Sequence, residues 1–296
     1  MTKSSFFSRV FRAYEAFVRT PTNTADSPVS SFPFVSGDTF LQMAGHVFGD
    51  TGVVHRREPS RQICFASGPV ATRSDFLQRA EQFLNRQGSG KYTLLIHNGD
   101  HIPSGSVLER LGGLFHRVYC VNVTSENSTV RALPIGLENA RLNNNGRLSY
   151  YLEGLEEPHL IDRPRLIMSS FHVSNNPSVR QPAADLFRAS RFGFDGHSWT
   201  RREYRDELKQ TCFVISPPGN GPDCHRTWEA LYMGAVPVVL RQHLAQSLYQ
   251  EMPILVVERY EEFVEMSDDA LRSTYSTLLA RRPAKAFAAE WIRELY

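Results

Sequence analysis

The stretch Phe213–Leu240, FVISPPGNGPDCHRTWEALYMGAVPVVL, decides how the chain reads. It opens on an apolar run, Phe213–Ser216, of the kind that forms a buried strand. Pro217-Pro218-Gly219-Asn220-Gly221-Pro222 follow, a loop stiffened by its prolines and left permissive by its glycines. Asp223 is the expected N-cap of a helix over Asp223–Met233, and Trp228, Leu231 and Tyr232 have the spacing of its buried face. Gly234 stands where a helix commonly ends, and Val236–Leu240 reads as the next strand. Strand, glycine loop, helix, strand is one β/α unit.

Two charges inside this unit bear on function. His225 and Arg226 fall in the first helical turn, where the macrodipole disfavours cations. An anion docked at the helix N-terminus would outweigh that penalty, and the N–H groups of Gly219–Gly221 would add donors. Arg226 and Glu229 are three apart and share a helix face. A cation beside a diphosphate, with a carboxylate one turn on to accept from ribose hydroxyls, fits a nucleotide. The same pair also reads as an exposed ion pair worth a few tenths of a kcal/mol, with the loop a mere connector.

Outward from this segment the alternation continues. Ile63–Ser67, Tyr92–His97, Val118–Val123 and Val130–Ile135 read as strands, and Ser74–Arg86 and Val107–Phe115 as helices. Periodicity lapses at Asn143-Asn144-Asn145-Gly146 and resumes with a strand at Leu166–Phe171, a helix at Val179–Ser190 and a helix at Trp199–Gln210. Ile254–Val257 reads as a short strand, and Asp268–Tyr296 as a helical tail broken at Pro283. The expected organisation is an amphipathic helix and linker over 1–31, one α/β domain over 32–150, a second over 151–275 and a terminal helix over 276–296. Ligands in such sheets bind beyond the carboxyl ends of the strands.

The 296 residues suit about two domains. Lys plus Arg is 33 against 31 Asp plus Glu, a net +2 that argues against a nucleic-acid partner. No apolar run reaches the ~20 residues that span a bilayer. Phe6, Phe7, Val10, Phe11, Tyr14, Phe17 and Val18, with Lys3, Arg9, Arg12 and Arg19 among them, give a basic amphipathic helix. Such a helix packs on its own protein or lies on an anionic membrane surface. It has no signal-peptide core, so a cytoplasmic, membrane-peripheral location is the expectation. The four cysteines form no C-x-x-C pair and read as free, buried thiols.

The quoted segment resembles the carboxyl-terminal signature of exostosin-like glycosyltransferases and their bacterial relatives. The matching residues are Pro217, Gly219, Gly221, Asp223, Arg226, Trp228, Glu229, Ala230, Leu231, Gly234 and Pro237. Leu133–Asn139 resembles a turn of the same group, and Asn175-Asn176-Pro177 with Arg180 resembles its Thr-Asn…Arg element, with Ser174 in place of threonine. The resemblance implies a GT-B-like α/β fold: two Rossmann-like domains with mostly parallel sheets facing a central cleft, and a last helix crossing back to the first domain. It implies a transferase moving a sugar from a nucleotide-sugar, most simply a UDP-sugar, to a glycan or polysaccharide acceptor, with no obligatory metal or other cofactor.

On that reading Arg226 and Arg180 are the diphosphate cations, and Glu229 accepts from the ribose or donor sugar. Gly219, Asn220, Gly221, His225 and Asn175 complete the nucleotide-sugar site, with preorganised charge at the leaving group as the main catalytic effect. An inverting enzyme also needs a base on the acceptor hydroxyl, and Asp100 and Asp38 are the candidates in the first domain. Both carboxylates also read as simple turn-formers. Two alternatives share these residues: a non-catalytic nucleotide- or glycan-binding module, and another GT-B enzyme such as a sugar-nucleotide epimerase.

Overall fold

The computed structural model describes residues 31–56, 62–88, 90–142, 146–156, 162–196, 199–243 and 246–296. The amphipathic helix expected before residue 31 lies outside them. The chain forms two compact units. One runs through Gly146 and takes back Phe287–Tyr296, and the other is Arg147–Ala286.

The first unit is built on six strands: β1 (His46–Phe48), β2 (Val53–His55), β3 (Ile63–Ser67), β4 (Thr93–His97), β5 (Arg117–Val121) and β6 (Val130–Leu133). Their order is β2-β1-β3-β4-β5-β6, parallel throughout except for the antiparallel β1–β2 pair. That hairpin was not expected, because strands of three residues are too short to show alternation. Arg79 closes it, donating to the carbonyls of Gly49 and Gly52. Phe76, Ala80 and Phe83 of one helix and Leu108 and Leu111 of the next pack on Cys64, Ala66, Leu94, Ile96, Val118 and Cys120 of the sheet.

The last ten residues complete this unit. Trp291 is buried edge-on against Phe40 and Tyr119, at 5.6 and 6.1 Å between ring centres. Tyr119 donates to Glu294 at 2.8 Å, and Tyr296 to the Met43 carbonyl at 3.1 Å. The terminal helix expected over 276–296 begins later than that. The structure instead keeps Asp268–Leu279 as one helix of the second unit, since Leu271, Tyr275 and Leu278 all face that unit's core. Pro283 stands in the break, and the final helix runs Ala288–Leu295.

The second unit has four parallel strands, β7 (Arg165–Met168), β8 (Thr211–Ile215), β9 (Val236–Leu240) and β10 (Leu255–Val257), in the order β10-β9-β8-β7. Chain order is sheet order here, so the loops leaving β7 and β8 at their carboxyl ends are neighbours. Phe213, Ile215, Val236 and Val238 pack against Ala183, Phe187, Phe263 and Tyr275. The helix His225–Tyr232 buries Trp228, Leu231 and Tyr232, the face its spacing predicted. Gly234, at φ 70°, takes the left-handed conformation that ends it. Among the described residues no helix is long and apolar enough to cross a membrane. All four cysteines are free, and three are buried.

Arg163 holds the opposite end of this unit. It is 2% exposed and donates to the carbonyls of Leu208 at 2.7 Å, Thr211 at 2.8 Å and Met233 at 2.6 Å. It thus joins the ends of two helices to the start of β8. Arg163→Met strands three carbonyls, and we expect it to lower unfolding stability by about 3 kcal/mol in a denaturant titration. A loss under about 1 kcal/mol would show that the ends hold without it.

Candidate functional site

The two adjacent loops are joined by Arg180. Its helix, Pro177–Ala189, follows β7, and its side chain is only 4% exposed. Nε donates to the Pro218 carbonyl at 2.8 Å, Nη1 to His172 at 2.8 Å and Nη2 to Pro217 at 3.3 Å. A guanidinium offers five N–H donors in a planar fork, so it can hold three carbonyls at once. Asn176 adds a bond from Nδ2 to the Gly219 carbonyl at 3.1 Å. A Cβ on Gly219 would stand 2.7 Å from Arg180 Nη2, so this closeness depends on glycine. Arg180, expected to be a diphosphate cation, is therefore a brace beneath the loop. It contributes its charge to the surroundings while most of its donors are spent. Asn175 is exposed, and its neighbour Asn176 is the residue that reaches the loop.

Asp223 does not cap the helix. Its carboxylate turns inward and accepts from Trp228 Nε1 at 2.9 and 3.0 Å, Tyr249 Oη at 2.6 Å and the Cys224 amide at 2.9 Å. The helix begins at His225, with Cys224 as N-cap and no side-chain cap bond. The reason is competition: a buried indole N–H needs an acceptor, and Asp223 is the one within reach. Burial, then the Asp223 charge, holds the Tyr249 hydroxyl well above its usual pKa, so it stays a donor. The first turn is thus left without the acidic cap that its dipole favours.

Arg226 leaves that turn half-buried, with its Nε enclosed and without a hydrogen-bond partner among the described residues. Its guanidinium lies 5.9 Å from the centre of the Phe171 ring, and that of Arg180 lies 5.8 Å from the same ring. Burial first, and the Arg226 charge second, lower the Arg180 pKa. Two cations therefore share one buried aromatic side chain beside an uncapped helix N-terminus. His225 is half-buried, Asn220 exposed and Gly221 buried.

Glu229 sits deeper than its role as a ribose acceptor requires. It is 6% exposed and lies among Tyr151, Tyr204, His225 and Arg226. Burial pushes its pKa up, opposed by the charges of His225 and Arg226 and by the two tyrosine hydroxyls. Tyr151 and Tyr204 are raised by burial and by the Glu229 charge, so both remain protonated. Sequence reasoning missed these tyrosines. They lie 78 and 25 residues before Glu229, with no shared motif to connect them.

In the first unit, Asp38 occupies the first turn of the helix Gly37–Met43, capped by Ser36 Oγ accepting from Thr39 N at 3.2 Å. The Asp38 amide donates to Asn139 Oδ1 at 2.9 Å, and Asn139 Nδ2 donates to Asn98 Oδ1 at 2.9 Å. Asn98 N donates to His97 Nδ1 at 2.7 Å, so His97 carries its proton on Nε2 and donates to the Pro134 carbonyl at 3.0 Å. This network ties the ends of β4 and β6 to the helix start. Asp38 has no exposed surface, whereas Asp100 is exposed. A base must reach its hydroxyl, and of the two only Asp100 is open to one.

Among the described residues, no three His, Cys, Asp or Glu side chains converge as a metal ligand set. No protein-family model matches the chain, and no curated protein matches it. The fold and the site define an α/β protein with a mixed six-stranded sheet and a parallel four-stranded one. The second of these carries a cationic helix N-terminus beyond its strands.

The raised pKa of Glu229 sets a pH dependence. Because the folded value lies above the ordinary 4.5, the folded state favours the protonated form. The stability from this group is complete below pH ~4.5 and is lost as pH rises through the folded value. Glu229→Gln escapes that loss. Its Tm is therefore expected to match wild type at about pH 4 and to exceed it increasingly toward pH 8, in a melting series across that range. A constant difference at every pH would refute the assignment.

Proposed function

We propose that the second unit seats the diphosphate of a nucleotide-sugar, most simply a UDP-sugar. On this reading the chain is a glycosyltransferase of GT-B type acting on a glycan or polysaccharide acceptor. One observation carries the proposal. Arg226 and Arg180 stand together at an uncapped helix N-terminus beyond the carboxyl ends of β7 and β8, and the Arg226 Nε is enclosed without a partner. Like charges are brought together at such a place at a cost that an anion offsets.

The chemistry follows from charge. As the sugar–phosphate bond breaks, electrons move onto the leaving diphosphate while the sugar takes on oxocarbenium character. On this reading Arg226 and the helix N-terminus stabilise that developing charge. Arg180 sets the loop and adds its field from beneath. Glu229, with Tyr151 and Tyr204, orients Arg226 from the side away from the ligand. In the first unit Asp100 is the accessible carboxylate for an acceptor hydroxyl, and this scheme calls on no metal.

UDP at a hundredfold excess over its Kd should add about 2.7 kcal/mol to stability and raise Tm by several degrees. Arg226→Ala should abolish that shift. If neither UDP nor another nucleoside diphosphate moves the wild-type Tm, the proposal falls. Release of UDP from a UDP-sugar only when a saccharide acceptor is present separates a transferase from a binding module, which turns over nothing, and from an epimerase, which needs no acceptor.

A further inference from the structure

Tyr260 opens the helix Tyr260–Val264, just after β10. Its ring belongs to the core of the second unit, 5.9 Å from the Phe187 ring, and the residue is 4% exposed. A tyrosine in such a place normally finds a partner for its hydroxyl. Among the described residues this hydroxyl has none, although it is enclosed. The ionisable groups that act on it electrostatically are Cys224, Arg226 and Arg180. Its helix packs against Pro177–Ala189, the helix that carries Arg180, and its ring shares a core with Phe171, the ring that both arginines approach, so the phenol belongs to the region of the loop and helix N-terminus already described.

Among the described residues Tyr260 Oη–H and Arg226 Nε–H are thus both enclosed and unsatisfied, as is Tyr204 Oη–H on the Glu229 side of Arg226. Around the Tyr260 hydroxyl the ionisable groups are two cations and a thiol, and the nearby Asp223 carboxylate is engaged with Trp228, Tyr249 and the Cys224 amide, while Glu229 meets Arg226 among Tyr151 and Tyr204. What such a set lacks is an acceptor rich in lone pairs. A phenyl ring would pack in the core equally well without the hydroxyl, so packing does not account for it. A buried hydroxyl left unsatisfied costs stability, which makes its presence a choice that favours binding over the unliganded fold.

We infer that Tyr260 is a binding residue for the oxyanion seated at the His225–Tyr232 helix N-terminus, donating its hydroxyl to a phosphoryl oxygen beside the Arg226 Nε. The inference rests on the reading of that site as a diphosphate seat and adds a donor from a third loop. The recognised chemistry is the phosphoryl group itself, so inorganic pyrophosphate and UDP should respond alike, while uridine should not respond.

The test is calorimetric titration of the full chain, wild type and Tyr260→Phe, with inorganic pyrophosphate, UDP and uridine, together with the Tm of each protein without ligand. The variant should bind pyrophosphate and UDP about tenfold more weakly, the loss expected for a hydrogen bond to a charged group. Its Tm without ligand should equal or exceed that of wild type. The opposite signs are the signature, since a merely structural tyrosine would lower Tm and leave affinity in place. Equal affinity of the two proteins for pyrophosphate and UDP overturns the inference and leaves the diphosphate seat standing. Absence of any wild-type binding to pyrophosphate and UDP overturns the seat, and the inference with it.

Discussion

Three backbone carbonyls converge on one guanidinium, and the candidate site depends on that contact. Arg180 donates to His172, Pro217 and Pro218 and so joins the loop after β7 to the loop after β8. Prolines cannot supply their own N–H to close such a loop, so an external donor has to hold their carbonyls in place. Burial beneath Gly219 keeps the guanidinium in position, and the helix that presents Arg226 starts where the braced loop ends.

The unusual feature of this arrangement is the direction of its charges. Asp223, the acid nearest the helix start, is consumed by Trp228 and Tyr249, and Glu229 is drawn into a pocket of tyrosines. Both carboxylates that could have neutralised Arg226 at its exposed end are withdrawn behind it. The result is a positive, donor-rich surface backed by buried negative charge. Such an arrangement costs folding free energy and favours an incoming anion.

Much of the second unit was legible from local rules. The apolar run before Pro217, the helical spacing of Trp228, Leu231 and Tyr232, and Gly234 at the helix end are each set by backbone preference or periodicity, and the structure places them as read. The β1–β2 hairpin escaped because three-residue strands carry no period. Asp223 was misread because its residue type and position favour capping, while two distant aromatic groups claimed it instead. The tail breaks at Pro283 as its sequence indicates, but the second unit runs to Ala286 rather than 275, because helical spacing alone does not say which core a helix faces.

By itself the sequence determined the local alphabet of this protein: strand, stiff glycine loop, helix and strand, with cations in the first turn. Those features follow from φ restriction and side-chain period, which act over a few residues. Only the tertiary structure decided which polar groups are spent and which remain. Arg180 is occupied by carbonyls 8 to 38 residues away, and Tyr204 and Tyr260 reach the Arg226 helix from separate elements. Hydrogen-bond satisfaction is settled by whatever the fold brings within 3 Å, and that neighbourhood is assembled from segments with no local relation to one another.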